Sequence, residues 1–396
     1  GRGVDFVQVR EPVGVCVGVM PFNFPAMIPL WMMAPALVAG CAFVAKPSVL
    51  VPGATTLLAE VVRDVGIPAG VFSVVQGGER TVAALIADNR VAAVSFVGST
   101  PAGRAVHRLA ATREGPAGPA RAQCNLGAKN HAVVLPDADA AKAAAAVVGA
   151  AFGASGQRCM ALSVVVLAGF GDADAAAFAK RVVDAASRLR VGTGRDADFG
   201  PVVTPAARQR VVNLVAAARR EGAHVLLDGT GPATPVDPAA RPGLDLHRPR
   251  GGNWLLPTIV AGVAERMEIY ASEVFGPVLL LMRADSLPDA TALLNRNACG
   301  NGAAIFTGSG AAARAFSRGV AAGQVGVNVP IPLGPAIGGF TGRGPGSFVG
   351  DLGMYGPAGL MFYTSPKNIV ERWEEPSAAG AGAPAAESKP SMVIPS

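Results

Sequence analysis

Cysteine and histidine are scarce in this 396-residue chain, which contains five of the first and four of the second. The cysteines are odd in number, widely separated and without any CxxC pair, at positions 16, 41, 124, 159 and 299. This spacing argues against a disulfide framework and a cysteine-bound zinc site, and it favours a reducing compartment. The histidines are equally dispersed, so the sequence predicts no histidine-based metal cluster.

Charged and aromatic residues are also few, at 16% and 6% of the chain, whereas hydrophobic residues make up 51%. The net charge of +6 includes no dense basic run and no interleaving of basic with aromatic residues, which argues against a nucleic-acid partner. A modest positive charge would still attract anionic substrates and cofactors. Length and composition together predict a compact α/β enzyme of two to three domains.

Residues 12–45 contain no charged side chain, and this run is long enough to raise the question of a membrane span. Five prolines within it, at positions 12, 21, 25, 29 and 35, argue against a single continuous helix. The run divides better into a strand over 13–20, a turn over 21–25, a helix over 29–38 and a strand over 41–45. Such a βαβ unit is typical of a parallel sheet buried on both faces, so we expect no membrane partner.

Strands and helices alternate along the rest of the chain as well. The pattern predicts helices over 54–65, 80–87, 138–152, 174–189, 205–221 and 287–296, and strands over 71–75, 93–97, 131–135, 162–167, 224–227, 278–283 and 303–307. The stretch 228–252 is rich in Pro, Gly and Arg and predicts a surface insertion, and 376–396 predicts a disordered tail.

The two ends of the predicted cofactor region carry further signals. The chain opens at Gly1 without a signal peptide, and Arg2 to Val13 already alternates like a strand, so we expect an incomplete N-terminus. No GxGxxG fingerprint is present. The turn from Gly98 to Gly103, between a strand and a helix, nevertheless suits phosphate binding.

The segment Gly153 to Leu162 reads GASGQRCMAL, with Cys159 at its centre. Small residues let the backbone approach a ligand closely, and the adjacent cation Arg158 would favour the nucleophilic thiolate. The alternative interpretation is a buried structural thiol, which is the commonest role of a free cysteine.

Six motifs in order resemble the aldehyde dehydrogenase family. They are Pro21-Phe-Asn-Phe-Pro25, Lys46-Pro-Ser48, Phe96-Val-Gly-Ser-Thr100, Leu126-Gly-Ala-Lys129, Gly156-Gln-Arg-Cys159 and Glu273-Val-Phe-Gly-Pro277. The resemblance implies a Rossmann-type cofactor domain over 1–124, an α/β catalytic domain over 125–345 and a small β oligomerisation arm over 346–375. We expect the arm near Leu360 to Thr364, and we expect the chain to form a homo-oligomer, a dimer or a tetramer.

The resemblance also implies catalytic roles. Cys159 would attack an aldehyde and become a thioester after hydride transfer, and the Asn23 amide with the Cys159 N–H would form an oxyanion hole. An ordinary turn residue is the alternative role for Asn23. At position 125 hydrolytic members have a Glu that activates water, whereas this chain has Asn125, which cannot act as a general base. Glu273 is the alternative base.

Finer spelling, in segments such as Gln157-Arg-Cys-Met-Ala161 and Gly300-Asn-Gly302, resembles the branch that oxidises malonate or methylmalonate semialdehyde and acylates coenzyme A. Arg158 would then bind the substrate carboxylate, with a structural salt bridge as its alternative role. The acyl group would pass to coenzyme A, and loss of carbon dioxide or bicarbonate would give acetyl-CoA or propionyl-CoA. The branch implies a mitochondrial matrix or bacterial cytoplasmic location.

For NAD, the resemblance implies a set of contacts that surround the dinucleotide: Met20, Phe22, Lys46, Ser99, Leu126, Glu273 and Phe275. The family usually has Glu-Arg after Lys-Pro-Ser, and this chain has Val49-Leu50. A ribose-binding carboxylate is therefore absent from that position, which leaves the NAD or NADP preference open. Two other functions stay open as well, a hydrolytic aldehyde dehydrogenase that releases free acid and a non-catalytic protein with the same fold.

Overall fold

The first half of the chain builds a parallel sheet from short strands that alternate with helices. The computed structural model describes residues 4–231, 252–334, 340, 342–350 and 352–373. The elements up to the end of this half are β1 Val4–Pro12, β2 Val15–Val19, α1 Met27–Val38, β3 Ala42–Lys46, α2 Gly53–Asp64, β4 Phe72–Val74, α3 Glu79–Ala87, β5 Val91–Val97, α4 Thr100–Ala111 and β6 Arg121–Asn125.

The second half repeats the same alternation with more strands. Its elements are β7 Asn130–Val134, α5 Ala140–Phe152, β8 Leu162–Ala168, α6 Asp172–Ala186, α7 Pro205–Arg220, β9 His224–Leu227, β10 Thr258–Ala261, α8 Glu268–Ala271, β11 Val278–Ala284, α9 Leu287–Arg296, β12 Gly302–Phe306, α10 Gly310–Gly319, β13 Gln324–Val327, β14 Phe348–Val349, α11 Gly356–Phe362 and β15 Thr364–Arg372.

A six-stranded sheet with the order β14-β6-β5-β2-β3-β4 forms the first layer. Its strands are parallel except β14, which pairs antiparallel with β6. Strand β2 pairs directly with β3 across helix α1, as the uncharged run 12–45 predicted. Parallel strands with helices on both faces bury both sides of the sheet, and the central residues Val17 and Val94 have no exposed surface.

A seven-stranded sheet with the order β13-β12-β7-β8-β11-β10-β9 forms the second layer, and only β9 among these strands runs antiparallel to its neighbour. Strand β8 lies at its centre and is an apolar run whose side chains are buried on both faces. Helix α5 leads into the turn before Cys159. Its N-cap residue is Asp139, whose carboxylate accepts hydrogen bonds from the N–H groups of Ala141 and Lys142.

A separate two-stranded antiparallel sheet joins β1 to β15 over nine residue pairs. Most of its side chains are exposed, including Phe6 at 74% and its cross-strand partner Val370 at 57%. The predicted location of the β arm needs one correction, because residues 360–362 belong to helix α11 and the strand begins at Thr364. A glycine-proline pair starts that helix, and Pro at its first turn favours the helical conformation.

The α/β class that the sequence predicted is confirmed, and the predicted elements occur within a few residues of their expected ends. Helix α4 differs, because it already begins at Thr100 inside the predicted turn. Strands β6, β10, β13 and β14 and helices α8, α10 and α11 were not predicted. Most of the expected insertion, 232–251, and the tail 376–396 lie outside the described residues. In the part of the chain that is described, no helix has the length and apolar character that crossing a membrane requires.

Candidate active site

The turn before Cys159 has an unusual backbone. Ala154, Ser155 and Gly156 follow one another with φ values of 53°, 57° and 67°. A left-handed conformation costs a non-glycine residue roughly 1–2 kcal/mol, so the surrounding structure must hold these residues in place. Ser155 Oγ donates to Gly200 O at 2.5 Å, and Gly156 lies so close to Gly276 O that an added Cβ would approach it to 2.1 Å. The turn therefore has little freedom.

Two asparagines fix the backbone of Cys159 itself. The Asn130 Nδ2 atom donates to Cys159 O at 2.8 Å, and Asn301 Nδ2 donates to the same oxygen at 3.0 Å. Asn130 also donates to Ala161 O and accepts from the Gly302 N–H. Asn130 starts β7 and Asn301 is the residue before β12, so the seven-stranded sheet positions the backbone of Cys159.

Asn23 reaches the same turn from the other sheet. Its Nδ2 atom donates to Gln157 O at 2.9 Å, although the two residues are 134 positions apart. A carboxamide nitrogen carries two N–H groups, and this contact uses one of them. In the described part of the chain the second N–H has no hydrogen-bond partner, so it is available to a ligand oxygen, as a donor of an oxyanion hole would be.

The protonation of Cys159 differs from the sequence-based expectation. Burial, followed by the negative charge of Glu273, raises the pKa of the Cys159 thiol to about 11, and the N–H groups of Cys159 and Met160 only partly oppose this. The expectation that Arg158 would favour the thiolate is therefore wrong for this state of the protein. Arg158 is not among the groups that act on the pKa of the Cys159 thiol, so adjacency in sequence did not stabilise the thiolate.

Arg158 instead extends over Gly153, where an added Cβ would lie 2.6 Å from its Nη1 atom. It lines a small pocket together with Glu273, Phe275 and Asn130. Within the described residues the Arg158 guanidinium forms no ion pair. A partly buried cation of this kind is suited to binding an anionic ligand.

Glu273 lies between the two sheets at the edge of this pocket. Its Oε1 atom accepts from the Ala128 N–H at 2.9 Å, and burial raises the pKa of its carboxyl group above the usual value, against the effects of the Ala128 N–H, Arg210 and Lys129. Gly127 is required beside it, because an added Cβ there would approach Oε2 to 2.8 Å. The influence of Glu273 on the pKa of Cys159 places both groups in one site.

Phe275 adopts a left-handed conformation with a φ of 50°. Its ring meets that of Phe22 edge to face, with centroids 5.9 Å apart, and such aromatic pairs contribute about 0.5–1.5 kcal/mol beyond their burial. Phe22 is the neighbour of Asn23, so this contact joins the Glu273 segment to the loop that carries the amide donor. The structure thus brings together Asn23, Cys159, Glu273 and the two phenylalanines.

The other cofactor candidates occupy the carboxyl ends of neighbouring strands in the six-stranded sheet. Met20 follows β2, Lys46 ends β3, Ser99 follows β5 and Leu126 follows β6. The carboxyl edge of a parallel sheet is where dinucleotides bind in open α/β folds. Met20 and Leu126 are themselves buried, and Leu126 packs against Gly103 of α4.

The residues at this edge fit a dinucleotide. Helix α4 has twelve residues, and Ser99 at its N-terminus makes no capping hydrogen bond through its side chain, so its first N–H groups can bind a phosphate. Lys46 is 7% exposed, and its ammonium group donates only to Gly77 O at 3.4 Å among the described residues. Val49 and Leu50 are exposed beside it and supply no carboxylate.

Asn125 ends β6 and is 4% exposed. Both its Nδ2 and its Oδ1 atoms lack a hydrogen-bond partner within the described part of the chain. Leaving a buried polar group unpaired costs about 1–3 kcal/mol, so a retained carboxamide at this point is suited to a ligand rather than to stability. It has no proton-accepting role near neutral pH.

Sequence reasoning missed four residues that organise the site. Asn130 and Asn301 hold Cys159, and Lys129 and Arg210 hold the Glu273 segment. Asn130, Asn301 and Lys129 could have been found as polar residues at the ends of otherwise apolar strands. Nothing in the sequence marks Arg210, which is one of many arginines on exposed helix faces. No cluster of three or more metal-ligating side chains occurs in the described segments.

Known proteins of similar sequence include named semialdehyde dehydrogenases. The chain is 45% identical over 376 residues to the mitochondrial, acylating methylmalonate-semialdehyde dehydrogenase of Arabidopsis thaliana, covering 94% of this chain and 58% of that protein. It is 43% identical over 396 residues to the mitochondrial, acylating methylmalonate-semialdehyde/malonate-semialdehyde dehydrogenase of Bos taurus, covering 100% of this chain and 68% of that protein.

Solved structures are similar as well. The methylmalonate-semialdehyde dehydrogenase of Oceanimonas doudoroffii matches with a TM-score of 0.88 and 40% identity, over 95% of this chain and 73% of that chain. A Mycobacterium tuberculosis aldehyde dehydrogenase complexed with NAD+ matches with a TM-score of 0.81 and 30% identity, over 92% and 70%. The aldehyde dehydrogenase family model matches residues 2–369. The chain belongs to the aldehyde dehydrogenase family.

Proposed function

We propose that this chain catalyses the NAD-dependent oxidation of malonate or methylmalonate semialdehyde and transfers the acyl group to coenzyme A. The observation that carries the proposal is the hydrogen bond from the Asn23 amide to Gln157 O in the turn before Cys159, in a site whose residue 125 is a carboxamide. The named activity of the relatives, which are acylating semialdehyde dehydrogenases, supports the same reaction.

The first step is attack of the Cys159 sulfur on the aldehyde carbon. The carbonyl oxygen then becomes an alkoxide, and the free N–H of Asn23 and the backbone N–H of Cys159 stabilise its charge. The thiol has a raised pKa and loses its proton to solvent before it attacks; NAD, if bound, would favour the thiolate through the positive charge of its oxidised nicotinamide. NAD, when bound, supplies the hydride acceptor, and the acyl group remains on Cys159 as a thioester.

Release of the acyl group depends on what can attack this thioester. Water needs a base to remove its proton, and the Asn125 carboxamide cannot supply one. The thiol of coenzyme A ionises far more readily than water, so its thiolate attacks the thioester carbon and the Cys159 sulfur leaves. The bond between the α carbon and the β-carboxylate breaks and carbon dioxide leaves, free or hydrated to bicarbonate. The electron pair stays on the α carbon, which takes up a proton from solvent, and the product is acetyl-CoA or propionyl-CoA.

The substrate class follows from Arg158. Its guanidinium has no ion-pair partner within the described residues and lines the pocket beside Glu273. A semialdehyde with a carboxylate could pair with it through two hydrogen bonds. This supports an ω-carboxylate aldehyde over a simple alkyl aldehyde.

A hydrolytic aldehyde dehydrogenase is the second candidate, and one observation favours it. The Glu273 carboxyl is buried, close to Cys159, and its pKa is raised, which makes its carboxylate a stronger base. Against this, its Oε1 already binds the Ala128 N–H, and the ribose contact assigned to it would occupy the group further.

Assembly, location and domain boundaries belong to the same proposal. The exposed apolar pair Phe6 and Val370 on the β1–β15 sheet supports a homodimer or homotetramer built through this arm. The names of the eukaryotic relatives support a mitochondrial matrix location for a eukaryotic source, and a bacterial source would place the enzyme in the cytoplasm. We propose that the boundaries between the cofactor domain, the catalytic domain, the β arm and the C-terminal tail lie at about residues 124, 345 and 375.

Product analysis tests the reaction. The protein is incubated with methylmalonate semialdehyde and NAD, with and without coenzyme A, and NADH and acyl products are measured by absorbance and mass spectrometry. We expect sustained NADH formation and propionyl-CoA only with coenzyme A, with loss of both in Cys159→Ala. Cys299→Ala, which removes another partly exposed thiol, is the matched control.

Each other outcome identifies a different function. Sustained turnover to free acid without coenzyme A would establish the hydrolytic alternative. Persistent activity in Cys159→Ala would contradict the thioester mechanism altogether. Failure of the intact protein to bind NAD in a calorimetric titration would favour a non-catalytic protein with this fold.

A further inference from the structure

Lys129 is a buried lysine whose charge the proposed mechanism does not use. It is 3% exposed, and its Nζ atom donates to Ile269 O at 2.6 Å and to Ser272 O at 2.7 Å. Both carbonyls belong to the segment that leads directly into Glu273. The ammonium group thus fastens the chain just before the carboxylate, across 140 and 143 residues of sequence.

The neighbours of Lys129 hold the same short segment at other points. The Ala128 N–H binds the Glu273 carboxylate at 2.9 Å. From the opposite side, Arg210 Nη1 donates to the Glu273 backbone oxygen at 2.7 Å. Three separate donors therefore hold Glu273. Lys129 binds the residues that precede it, the Ala128 N–H binds its carboxylate, and Arg210 binds its backbone oxygen.

A segment held this firmly can maintain a backbone conformation that would otherwise relax. Phe275 has a φ of 50°, and a non-glycine residue in that region costs of order 1–3 kcal/mol and persists only where its surroundings impose it. The Phe275 ring meets Phe22 beside Asn23. Displacement of the Glu273 segment would therefore also disturb the loop with the amide donor.

An ordinary stabilising role does not explain a charged group here. Burial lowers the pKa of Lys129 to about 7, partly opposed by the charges of Glu273 and Cys299, which reflects the cost of removing an ammonium group from water. Well-packed apolar side chains of similar volume are often as stabilising as buried charges or more so. What an ammonium group adds is two strong, directed hydrogen bonds to chosen carbonyls.

We infer that Lys129 is a positioning residue that sets the place of the Glu273 carboxylate against the ribose of the dinucleotide. The inference rests on the proposed function, because the ribose contact of Glu273 is part of it. Lys129 acts through Glu273 and touches neither substrate nor cofactor. Its removal takes the ammonium donor from the buried Ile269 carbonyl and from the partly buried Ser272 carbonyl and allows the segment 269–273 to shift.

A double-mutant cycle on NAD binding tests the inference, because a positioning residue and its target must be energetically coupled. The dissociation constant for NAD is measured by calorimetry for the intact protein, Lys129→Met, Glu273→Ala and the double variant. We expect Lys129→Met to weaken NAD binding about tenfold or more alone, and less than twofold in the Glu273→Ala background. Lys142→Met, which removes an exposed lysine on α5, should leave binding unchanged.

Lys129→Gln provides a second variant that keeps an N–H donor without the charge. It should recover part of the lost NAD affinity, whereas a role limited to burying apolar stem atoms would give no recovery over methionine. If Lys129→Met folds poorly, Lys129→Gln replaces it in the double-mutant cycle with Glu273→Ala.

Two results would overturn the inference. Equal losses of NAD affinity with and without Glu273 would mean that Lys129 supports the fold in general. An unchanged affinity in Glu273→Ala would remove the ribose role of Glu273 and the inference with it. The proposed reaction is tested separately, because coenzyme A-dependent product formation is measured with the unsubstituted protein and not with the Lys129 or Glu273 variants.

Discussion

At the scale of single residues, Cys159 combines a fixed backbone with a thiol that is mostly protonated. Asn130 and Asn301 hold its carbonyl oxygen, while burial and the Glu273 charge raise the pKa of its thiol. A nucleophile held in this way is placed for attack but ionises only to a small extent in the absence of a cation. Binding of the positively charged nicotinamide then couples cofactor occupancy to reactivity.

The raised pKa predicts how Cys159 responds to pH. A thiol with a pKa of about 11 carries a growing thiolate fraction as pH rises, by about tenfold per pH unit below that value. We expect the rate of Cys159 alkylation by iodoacetamide, followed by peptide mass spectrometry, to rise about a thousandfold between pH 7 and 10. Glu273→Gln should lower the pKa of Cys159 and speed alkylation at pH 8. A rate that levels off near pH 8 would contradict this account.

Asn125 predicts a second change at the residue scale. Asn125→Glu would place a carboxylate where the carboxamide lies, and a carboxylate can accept the proton of an attacking water. General-base assistance typically contributes about 10²–10⁴-fold, so we expect free propionate to form without coenzyme A at least about tenfold faster than in the unsubstituted protein. Asn125→Gln keeps a carboxamide and should not gain this hydrolysis. Equal hydrolysis in both variants would disprove the assigned role.

Arg158 predicts the dependence on a substrate carboxylate. A hydrogen bond to a charged group contributes about 1.5–3 kcal/mol, so Arg158→Leu should reduce kcat/KM for malonate semialdehyde by roughly 10–150-fold. Propanal, which lacks the carboxylate, should lose less than about threefold in the same variant. Steady-state kinetics with both substrates decides, and a similar loss for both would indicate that Arg158 acts only on the fold.

At the scale of elements, the turn before Cys159 connects helix α5 to strand β8 through three left-handed residues. Local patterns made α5 and β8 predictable, since an Ala-rich run with an Asp cap and a β-branched apolar run have clear preferences. The turn itself was not predictable in detail, because Ala154 and Ser155 adopt conformations that their residue types disfavour. Contacts with residues 200 and 276 impose them.

A comparison of two glycines with similar backbone conformation distinguishes the cost of backbone strain from the cost of steric crowding. Gly156 and Gly66 have φ values of 67° and 84°, but an added Cβ would lie 2.1 Å from Gly276 O at the first position and meets nothing within 4 Å at the second. Gly66→Ala should therefore cost about 1–2 kcal/mol of unfolding free energy. Gly156→Ala should cost more than about 3 kcal/mol and abolish most activity. Urea denaturation and activity assays measure both, and equal costs would contradict the crowding argument.

At the scale of the whole molecule, the site lies where two sheets meet. The nucleophile turn follows the helix before β8, the amide donor follows β2, and Glu273 precedes β11. Side chains from both sheets converge because the site residues of the six-stranded sheet follow the carboxyl ends of its strands, whereas those of the seven-stranded sheet lie before the amino ends of its strands. The β1–β15 sheet exposes Phe6 and Val370, and Trp373, the residue after β15, is exposed as well.

The exposed arm predicts that assembly depends on its apolar side chains. Phe6→Glu places a charge on a side chain that is 74% exposed and paired with Val370, and burying that charge in an interface would be costly. We expect size-exclusion chromatography with light scattering to show a smaller assembly than for the unsubstituted protein. Leu57→Glu, at a residue 62% exposed on α2, is the control. An unchanged mass in Phe6→Glu would exclude the arm as the interface.

The amino-acid sequence by itself determined the α/β class and most strands and helices, because these depend on local preferences that neighbours in sequence are enough to establish. Its local pattern also made Cys159 a candidate nucleophile, whereas Asn23, Asn125 and Glu273 became candidates only through the resemblance. The order of the six motifs along the chain carried that resemblance to the aldehyde dehydrogenase family.

Only the tertiary structure decided how those residues behave. Lys129 meets the segment before Glu273 across 140 residues, and the Arg158 side chain extends over Gly153. The pKa of Cys159 rises because distant chain segments exclude water from it and bring a carboxylate close. Burial and charge are properties of packing in three dimensions, so no local pattern could have determined them.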